Sequence, residues 1–323
     1  MRRTTRREAL EIGVLAALVG AVGPVEVAPA SAGPIPPSAS AIPASAGPIV
    51  LVDAFGRTVT LPGPARRIVT IFASNTEMVA ALGFSDRIVG IEAYTRYPPE
   101  VLDRPLVGGR LGFSVDAVVA QNPDLVVVTP SRQAAHQLVD PMERIGVPIL
   151  VLMQRSVTEV TANIRLLGRA AGVPETGEAV ATRLEARVAH VSARLKDRPR
   201  PRVIMITGRL GNGLVLVARP GTYTADAVAL AGGRFGLDER LTLSQVSPEA
   251  VLRADPDVLL FAGRAEDLAE LTGRTGWRDM RAVRTGRAFT VPRAEFLIPG
   301  PRTVDGIVRL AALLHRDASE QTP

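Results

Sequence analysis

Two stretches of the sequence share one pattern. The first is Ser114–Val118 (SVDAV) followed by Asn122–Val127 (NPDLVV), and the second is Ser247–Val251 (SPEAV) followed by Asp255–Leu260 (DPDVLL). Each predicts a helix capped by its serine, a turn at the Pro-Asp pair and a buried strand. Two copies are too few for a solenoid, so the repeat predicts two lobes of related design.

Outward from the repeat, short β-branched runs alternate with segments of helical periodicity, which favours α/β units with mostly parallel sheets. The predicted strands are Ile68–Phe72, Leu125–Thr129, Ile149–Leu152, Val203–Thr207, Val258–Phe261 and Ala288–Val291. Predicted helices begin at Ser74 and Ser114, and near Gln133, Val157, Pro174, Thr224, Ser247 and Thr303.

Between the two copies, residues 157–172 and 174–196 predict helices. The second has an apolar stripe (Val180, Leu184, Val188, Val191 and Leu195) and would be on the order of 30 Å long. A long rigid helix joining two lobes implies limited hinge motion and makes the cleft between them the expected ligand site. The predicted divisions are an N-terminal lobe at 47–155, a helical connector at 156–199 and a C-terminal lobe at 200–318.

The first 46 residues predict an export signal and a disordered leader. Four arginines within Met1–Arg7 precede the uncharged apolar run Ile12–Val25. A Pro/Ala/Ser segment follows, in which Pro29–Ile35 recurs as Pro43–Ile49. Twin-arginine export and ordinary Sec export both remain open, as does cleavage after Ala32 or Ala46.

Composition excludes several functions. The 323 residues contain no cysteine, which argues against disulfides, a cysteine nucleophile, cysteine-bound metal and a lipid-modified N-terminal cysteine. We therefore expect a periplasmic protein that is not a lipoprotein. The net charge of +6 comes from scattered arginines without a nucleic-acid-binding motif, and no phosphate-cradling Gly-Lys-Ser/Thr loop of an ATPase is present.

A further set of segments surrounds the repeat in a specific order. These are Asp53–Arg57, Arg67–Val69, Asn75–Met78 with Ala81–Gly83, Arg87–Gly90, Tyr97–Glu100, Trp277 with Ala282–Arg284, and Pro299–Arg302. Together they resemble the periplasmic binding proteins for ferric siderophores, haem and cobalamin, whose lobes are joined by a backbone helix. The resemblance covers about Val52 to His315.

The resemblance implies a function: capture of a ferric siderophore, haem or cobalamin in the inter-lobe cleft and delivery to the permease and ATPase of an ABC importer. We also expect a monomer without an intrinsic cofactor, with the metal chelate as cargo. We expect no enzyme, because the sequence has no Ser-His-Asp arrangement, metal-ligand cluster or nucleophile elbow. A metallocofactor chelatase and a sensor-type binding protein are the alternatives. Arg110 and Leu243 stand where similar cobalamin binders carry tryptophans, which argues against a tight corrinoid clamp.

The same resemblance implies that Asp116 and Glu249, one on each lobe, dock onto arginines of the permease. Paired charges of this kind set orientation and encounter rate. The alternative is that both carboxylates only favour their helix N-termini through the dipole. Glu77 competes for the docking role, but Ser74-x-x-Glu77 also predicts a capping box, which we favour.

Six residues form the predicted ligand site: Tyr94, Tyr97, Arg110, Tyr223, Phe296 and Arg302. Tyr94 stands where similar cobalamin binders stack a tyrosine, and Tyr97 where similar haem binders present an iron-binding phenolate, so Tyr97 is the metal ligand if the cargo is haem or another ferric complex. Packing of the tyrosine on Pro98 and Pro99 is the alternative. For Arg302, we favour the interpretation that it caps carbonyls of the Pro-Gly-Pro turn rather than contacting the ligand.

Two further residues stay open at this point. His136 follows a predicted strand and could reach a metal, although an exposed helix position is the simpler interpretation. Trp277 is favoured as a core residue over a ligand contact.

Overall fold

The structure, a computed structural model, describes residues 47–109, 112–129 and 138–316. The predicted leader, the helix near Gln133, and the candidate residues Arg110 and His136 lie outside this range. No helix in the described ranges is both long and apolar enough to cross a membrane.

The N-terminal lobe combines a small hairpin with a six-stranded sheet of order β6-β5-β4-β3-β7-β8, parallel except for the β5–β6 pair. Its elements are β1 (Ile49–Val52), β2 (Thr58–Leu61), β3 (Ile68–Thr70), α1 (Ala73–Ala81), β4 (Ile88–Glu92), β5 (Leu106–Gly109), β6 (Gly112–Phe113), α2 (Val115–Val119), β7 (Leu125–Val128), α3 (Asp140–Arg144) and β8 (Ile149–Val151). The fully buried β3, β7 and β8 form the centre and one edge, as the apolar runs predict.

Two helices form the connector, α4 (Val157–Ala170) and α5 (Pro174–Arg194). Helix α5, with 21 residues, is the predicted long helix. The two backbones touch where Gly168 meets Gly177, because a Cβ added to Gly168 would lie 2.8 Å from the Cα of Gly177. This close approach makes the connector one packed unit rather than two independent helices.

The C-terminal lobe carries a second six-stranded sheet, with β12-β10-β9-β13-β14 in order and β11 beside β9. Its elements are β9 (Arg202–Arg209), β10 (Val215–Val217), α6 (Tyr223–Leu230), β11 (Arg234–Phe235), β12 (Gln245–Val246), α7 (Pro248–Ala254), β13 (Val258–Ala262), α8 (Ala265–Thr272), α9 (Arg281–Arg284), β14 (Ala288–Val291), α10 (Arg293–Phe296) and α11 (Arg302–Leu314). The predicted α/β class with two mostly parallel sheets is confirmed.

The repeat has the same geometry in both lobes. Ser114 and Ser247 cap α2 and α7 by accepting hydrogen bonds from Ala117 N (3.1 Å) and Ala250 N (3.3 Å). The turn that follows each helix contains a residue in the left-handed region, Asn122 with φ 47° and Asp255 with φ 39°. Both residue types tolerate that conformation better than most others.

The aspartate after each proline joins its turn to the neighbouring strand. Asp124 accepts hydrogen bonds from the backbone N–H groups of Arg66 and Arg67, just before β3. Asp257 accepts one from Arg202 N at the start of β9, at 2.8 Å. The Pro-Asp pair therefore fixes the start of the central strand in both lobes.

One apolar core runs through both lobes and the connector. It includes Ile68 and Met78 of the N-terminal lobe, Ile164 of α4, and Met205 and Ile307 of the C-terminal lobe. The other face of each sheet has its own smaller core. The division of the chain at residues 155 and 199 stays a prediction, since the apolar packing is continuous across both boundaries.

Candidate functional site

The two lobes face each other at the carboxyl ends of their parallel strands. A cavity of about 350 Å³ lies there, with Gln154 and Arg155 from the loop after β8 on one side. Thr207 near the end of β9, Tyr223 and Leu297 line the other side. Open α/β sheets bind ligands at this edge, so the cavity is where the fold places a ligand site.

A larger cavity, of about 640 Å³, adjoins the first around Arg155 and the loop before α6. Val203, Met205, Val228 and Phe235 contribute apolar surface to it. The two cavities share Ala218, Gly221 and Thr222 in addition to Arg155. Together they form a depression on the C-terminal lobe beside the start of α4.

A buried polar network supports the N-terminal side of the cleft. Asn75 Oδ1 accepts a hydrogen bond from Gln154 Nε2 at 2.8 Å, and Thr129 Oγ1 donates to Gln154 Oε1 at 2.9 Å. Asn75 Nδ2 in turn donates to the carbonyl of Ile71 at 2.5 Å. Satisfied networks of this kind hold side chains in one arrangement, so Gln154 reaches the cleft in a defined position.

A bidentate ion pair between the lobes joins Glu77 of α1 to Arg302 at the start of α11. Arg302 Nε donates to Glu77 Oε2 at 2.9 Å and Nη2 donates to Oε1, a bidentate pair. The Glu77 side chain is 1% exposed and that of Arg302 is 26% exposed. Burial raises the pKa of Glu77 above its ordinary value, and the hydrogen bonds and charge of Arg302 oppose that shift.

Both sequence interpretations of this pair were wrong. Helix α1 begins at Ala73 after Phe72, whose φ is 75°, and has no side-chain cap, so Ser74 and Glu77 form no capping box. Ser74 Oγ instead approaches Gln154 Oε1 at 3.4 Å. Arg302 pairs with the carboxylate of the opposite lobe rather than with carbonyls of the Pro-Gly-Pro turn. The Ser74-x-x-Glu77 pattern offered an explanation of Glu77 as part of a local capping box, so nothing in the sequence indicated a partner in the other lobe. No sequence signal indicated that Gln154 lies at the cleft.

Tyr97 lies at the cleft with its ring over Arg302, whose Cζ is 4.4 Å from the ring centroid. Tyr94 and Tyr97 are 54% and 42% exposed. Their loop leaves β4 at Glu92, a buried carboxylate that accepts backbone hydrogen bonds from Ala73 and Tyr94. Burial raises the pKa of Glu92, and the two hydrogen bonds oppose that rise. The loop is therefore fixed at its base and presents two tyrosines to solvent.

Tyr223 and Phe296 occupy different environments. Tyr223, the first residue of α6, lines the smaller cavity, and burial raises the pKa of its phenol, so it stays protonated at neutral pH. Phe296 is 1% exposed in the shared core, and its carbonyl accepts a hydrogen bond from Thr224 Oγ1 at 2.8 Å. Its ring has no free surface to offer a ligand, so the structure does not bring Phe296 into the cleft.

Trp277 and Leu243 are also placed by the structure. Trp277 is 3% exposed within the smaller core of the C-terminal lobe, which agrees with the favoured sequence interpretation. Leu243 is 69% exposed in the segment before β12. Within the described ranges, no group of three or more His, Cys, Asp or Glu side chains could hold a metal ion.

Asp116 and Glu249 lie at equivalent positions, each the second residue of a serine-capped helix. Both side chains are exposed, and neither forms an ion pair with any residue that the structure describes. Both carboxylates are therefore in contact with solvent, one on each lobe.

Comparison with known proteins identifies the family. The family model described as periplasmic binding protein matches residues 68–294. The cobalamin-binding protein of Halobacterium salinarum is 29% identical over 304 residues, covering 89% of this chain and 80% of the relative. A substrate-binding lipoprotein of an ABC transporter in Bacillus subtilis is 23% identical over 278 residues, covering 85% and 88%.

A solved structure agrees with both relatives. The haem-binding protein RhuT from Roseiflexus sp. RS-1, in its apo form, superposes with a TM-score of 0.67 and 27% identity, covering 79% of this chain and 99% of that one.

The comparison overturns one expectation. We expected a protein that is not a lipoprotein, because the sequence has no cysteine. The relative from Bacillus subtilis is a lipoprotein and matches along most of the chain, so that expectation was wrong. The folded body is shared with a lipoprotein.

The family and its relatives are binding proteins of transporters rather than enzymes. The relative from Bacillus subtilis is the substrate-binding lipoprotein of an ABC transporter. The two lobes, the packed connector, the cleft at the strand ends and the match over residues 68–294 agree: this chain belongs to the periplasmic binding protein family.

Proposed function

We propose that this protein captures a metal chelate, an iron siderophore or a tetrapyrrole such as haem or cobalamin, in the inter-lobe cleft and delivers it to its permease. The observations that carry the proposal are the cavity at the strand ends and the two exposed tyrosines in the N-terminal lobe's loop after β4, of which Tyr97 contacts Arg302 of the opposite lobe. Aromatic rings offer flat apolar surfaces to a macrocycle, and a phenolate is a hard ligand for ferric iron.

The relatives support this class of cargo. One is a cobalamin-binding protein and one solved neighbour binds haem. We infer that Tyr94 and Tyr97 contact the chelate and that Tyr97 binds the metal if the cargo is ferric. Tyr223 lines the smaller cavity as a neutral phenol and contributes a hydrogen bond rather than a charge.

A titration tests the cargo directly. The purified protein is titrated with haemin, cyanocobalamin and a panel of ferric siderophores, following visible absorbance and the fluorescence of Trp277. We expect saturable binding of one class, which changes the visible absorbance of the chelate and quenches the fluorescence of Trp277 by energy transfer. Absence of saturable binding for every chelate would contradict the proposal.

Tyr97→Phe separates the two tyrosine roles, with Tyr94→Phe as the matched control on the same loop. If Tyr97 binds ferric iron, its loss removes the phenolate-to-iron absorption band, whereas Tyr94→Phe leaves the band in place. An unchanged band in loaded Tyr97→Phe protein would exclude Tyr97 as the metal ligand.

We further propose that Asp116 and Glu249 dock onto the permease, one carboxylate from each lobe. Their equivalent positions, exposure and lack of ion-pair partners in the described ranges support this role. Exposed charges that meet a partner control orientation and the rate of association. In this proposal the protein docks as a monomer, and its two lobes supply one carboxylate each to one transporter.

The double variant Asp116→Ala/Glu249→Ala tests docking. We expect uptake to be lost while chelate affinity in solution stays unchanged. Glu266→Ala is the matched control, because Glu266 is an exposed carboxylate in the first turn of α8. Normal uptake by the double variant would contradict docking, and light scattering of the purified protein checks the monomer.

A further inference from the structure

Arg302 is inserted between two groups of the opposite lobe. Its Nε and Nη2 atoms donate to the Glu77 carboxylate, and its Cζ lies 4.4 Å from the centroid of the Tyr97 ring. Glu77 belongs to α1 and Tyr97 to the loop after β4, so both are parts of the N-terminal lobe, whereas Arg302 begins α11 of the C-terminal lobe.

The arrangement leaves Arg302 little freedom. Glu77 is buried, and a Cβ added to Gly300 would lie 3.2 Å from its Oε2, so the backbone before Arg302 closes directly over the carboxylate. A planar guanidinium bound at two donors by a fixed carboxylate is held in orientation as well as in position. The Tyr97 ring, 42% exposed and outside the shared core, lies against that oriented plane.

We propose that Arg302 is a positioning residue for Tyr97: fixed by Glu77, it holds the tyrosine ring at the mouth of the cleft, so that the C-terminal lobe sets the orientation of a ligand contact carried by the N-terminal lobe. The proposal rests on the proposed function only in taking Tyr97 as a ligand contact. Glu77 acts on Tyr97 solely through Arg302.

This role differs from recognition of the cargo by Arg302. The two N–H groups that donate to Glu77 are not free for a carboxylate of the chelate, and one face of the Tyr97 ring is covered by the guanidinium. The ring therefore offers the cargo its other face and its hydroxyl. Separation of the lobes would break both contacts of Arg302 together and release the ring.

Fluorine NMR of the full chain labelled with 3-fluorotyrosine tests the proposal without any ligand. The chain has three tyrosines, so three resonances are assigned by replacing each in turn with phenylalanine. We expect Arg302→Lys to shift and broaden the Tyr97 resonance, because a compact ammonium does not reproduce the planar contact. Tyr94 has no contact with Arg302 and serves as the internal control.

The decisive comparison is a double-variant cycle. Glu77→Gln alone should also shift the Tyr97 resonance, although Glu77 does not contact the ring, and the same change in the Arg302→Lys background should leave it in place. A Tyr97 resonance unmoved by Glu77→Gln, or moved equally in both backgrounds, would overturn the proposal. If Glu77→Gln does not fold, Glu77→Asp, which keeps the charge but shortens the reach, takes its place.

Binding gives a second readout. Arg302→Lys should weaken chelate binding by about three- to tenfold, a loss in the range of a cation–π contact, and should have no effect in a Tyr97→Ala background, which lacks the ring. Arg165→Lys, in an exposed pair of the connector, is the control and should leave affinity unchanged. An equal loss with and without Tyr97 would overturn the positioning role, whereas failure of every chelate to bind would contradict the proposed function and leave the NMR result intact.

Discussion

The turns at Asn122–Asp124 and Asp255–Asp257 match each other closely, whereas the two lobe edges that face the cleft have little in common. Each turn has a left-handed residue, a proline and an aspartate that accepts a hydrogen bond from a backbone N–H at the start of the neighbouring strand in the sheet. At the cleft, the N-terminal lobe contributes a buried carboxylate and two exposed tyrosines, and the C-terminal lobe an arginine and a half-buried tyrosine.

The difference has a physical origin. The repeated turn is stabilised by groups that belong to one helix, one turn and one strand, so the same short sequence forms it twice. The ion pair of Glu77 and Arg302 joins residues 225 positions apart and exists only when both lobes are in place. Local rules thus build the two scaffolds, and lobe-specific side chains build the site between them.

Loss of one partner of the ion pair should have the largest effect on stability. Glu77→Ala leaves the guanidinium of Arg302 without its acceptor in a mostly buried place, and we expect the free energy of unfolding to fall by about 2–4 kcal/mol. Urea denaturation followed by circular dichroism measures this. The lower end applies if water reaches Arg302, which is 26% exposed.

The connector provides the matched comparison. Arg165 pairs with Glu178 and Glu185, which are 59% and 43% exposed. Glu178→Ala should cost less than about 1 kcal/mol, because exposed pairs contribute little. Equal losses of unfolding free energy for Glu77→Ala and Glu178→Ala would show that the inter-lobe ion pair stabilises the fold no more than an exposed pair does.

The next largest effect is expected where the connector helices touch. A valine at Gly168 would place its Cβ 2.8 Å from the Cα of Gly177. This Cα is a backbone atom and cannot move away as a flexible side chain can. Gly168→Val should therefore destabilise the fold by about 1–3 kcal/mol. Gly211→Ala is the control, because its added Cβ meets nothing within 4 Å. If Gly168→Val changes the melting temperature no more than Gly211→Ala does, the connector helices are not tightly packed at this point.

The fold was largely predictable from the sequence because its signals are local. The buried run at Leu125–Val128, the serine caps at 114 and 247 and the helix start at Pro174 each follow from a few neighbouring residues. The site was predictable only in part. Ser74-x-x-Glu77 has the pattern of a capping box, and nothing near it in the sequence indicates a partner in the other lobe.

The two serine caps test how alike the repeated units are. Ser114→Ala and Ser247→Ala each remove an acceptor for a helix N–H, and we expect each to cost about 1 kcal/mol. Thermal unfolding of both variants measures the difference. Threonine at either position keeps the acceptor and should restore most of the stability. A loss confined to one lobe would show that the units are alike in geometry but not in energy.

The smallest effect on stability is expected at Asp257, and it should depend on pH. Asp257 also accepts a hydrogen bond from Arg281 at 2.8 Å, and although burial opposes it, the pKa of Asp257 is lowered by its hydrogen bonds from Arg202 and Arg281 and by their charges. A lowered pKa stabilises the fold above the ordinary aspartate pKa of about 3.9, and this contribution is lost as the pH falls through the folded-state value.

Asp257→Asn should accordingly cost less than about 1 kcal/mol at pH 7, because the pair with Arg281 is largely exposed. The cost should shrink as the pH falls below about 4. Chemical denaturation between pH 7 and pH 2.5 measures it, and in an Arg281→Gln background the pH-dependent part should be smaller. The loss of stability on Asp257→Asn could instead stay constant over this pH range. Asp257 would then act only as a hydrogen-bond acceptor that shapes the turn, as a neutral group would. The ionic contact with Arg281 would add nothing to the stability of the second copy of the repeat.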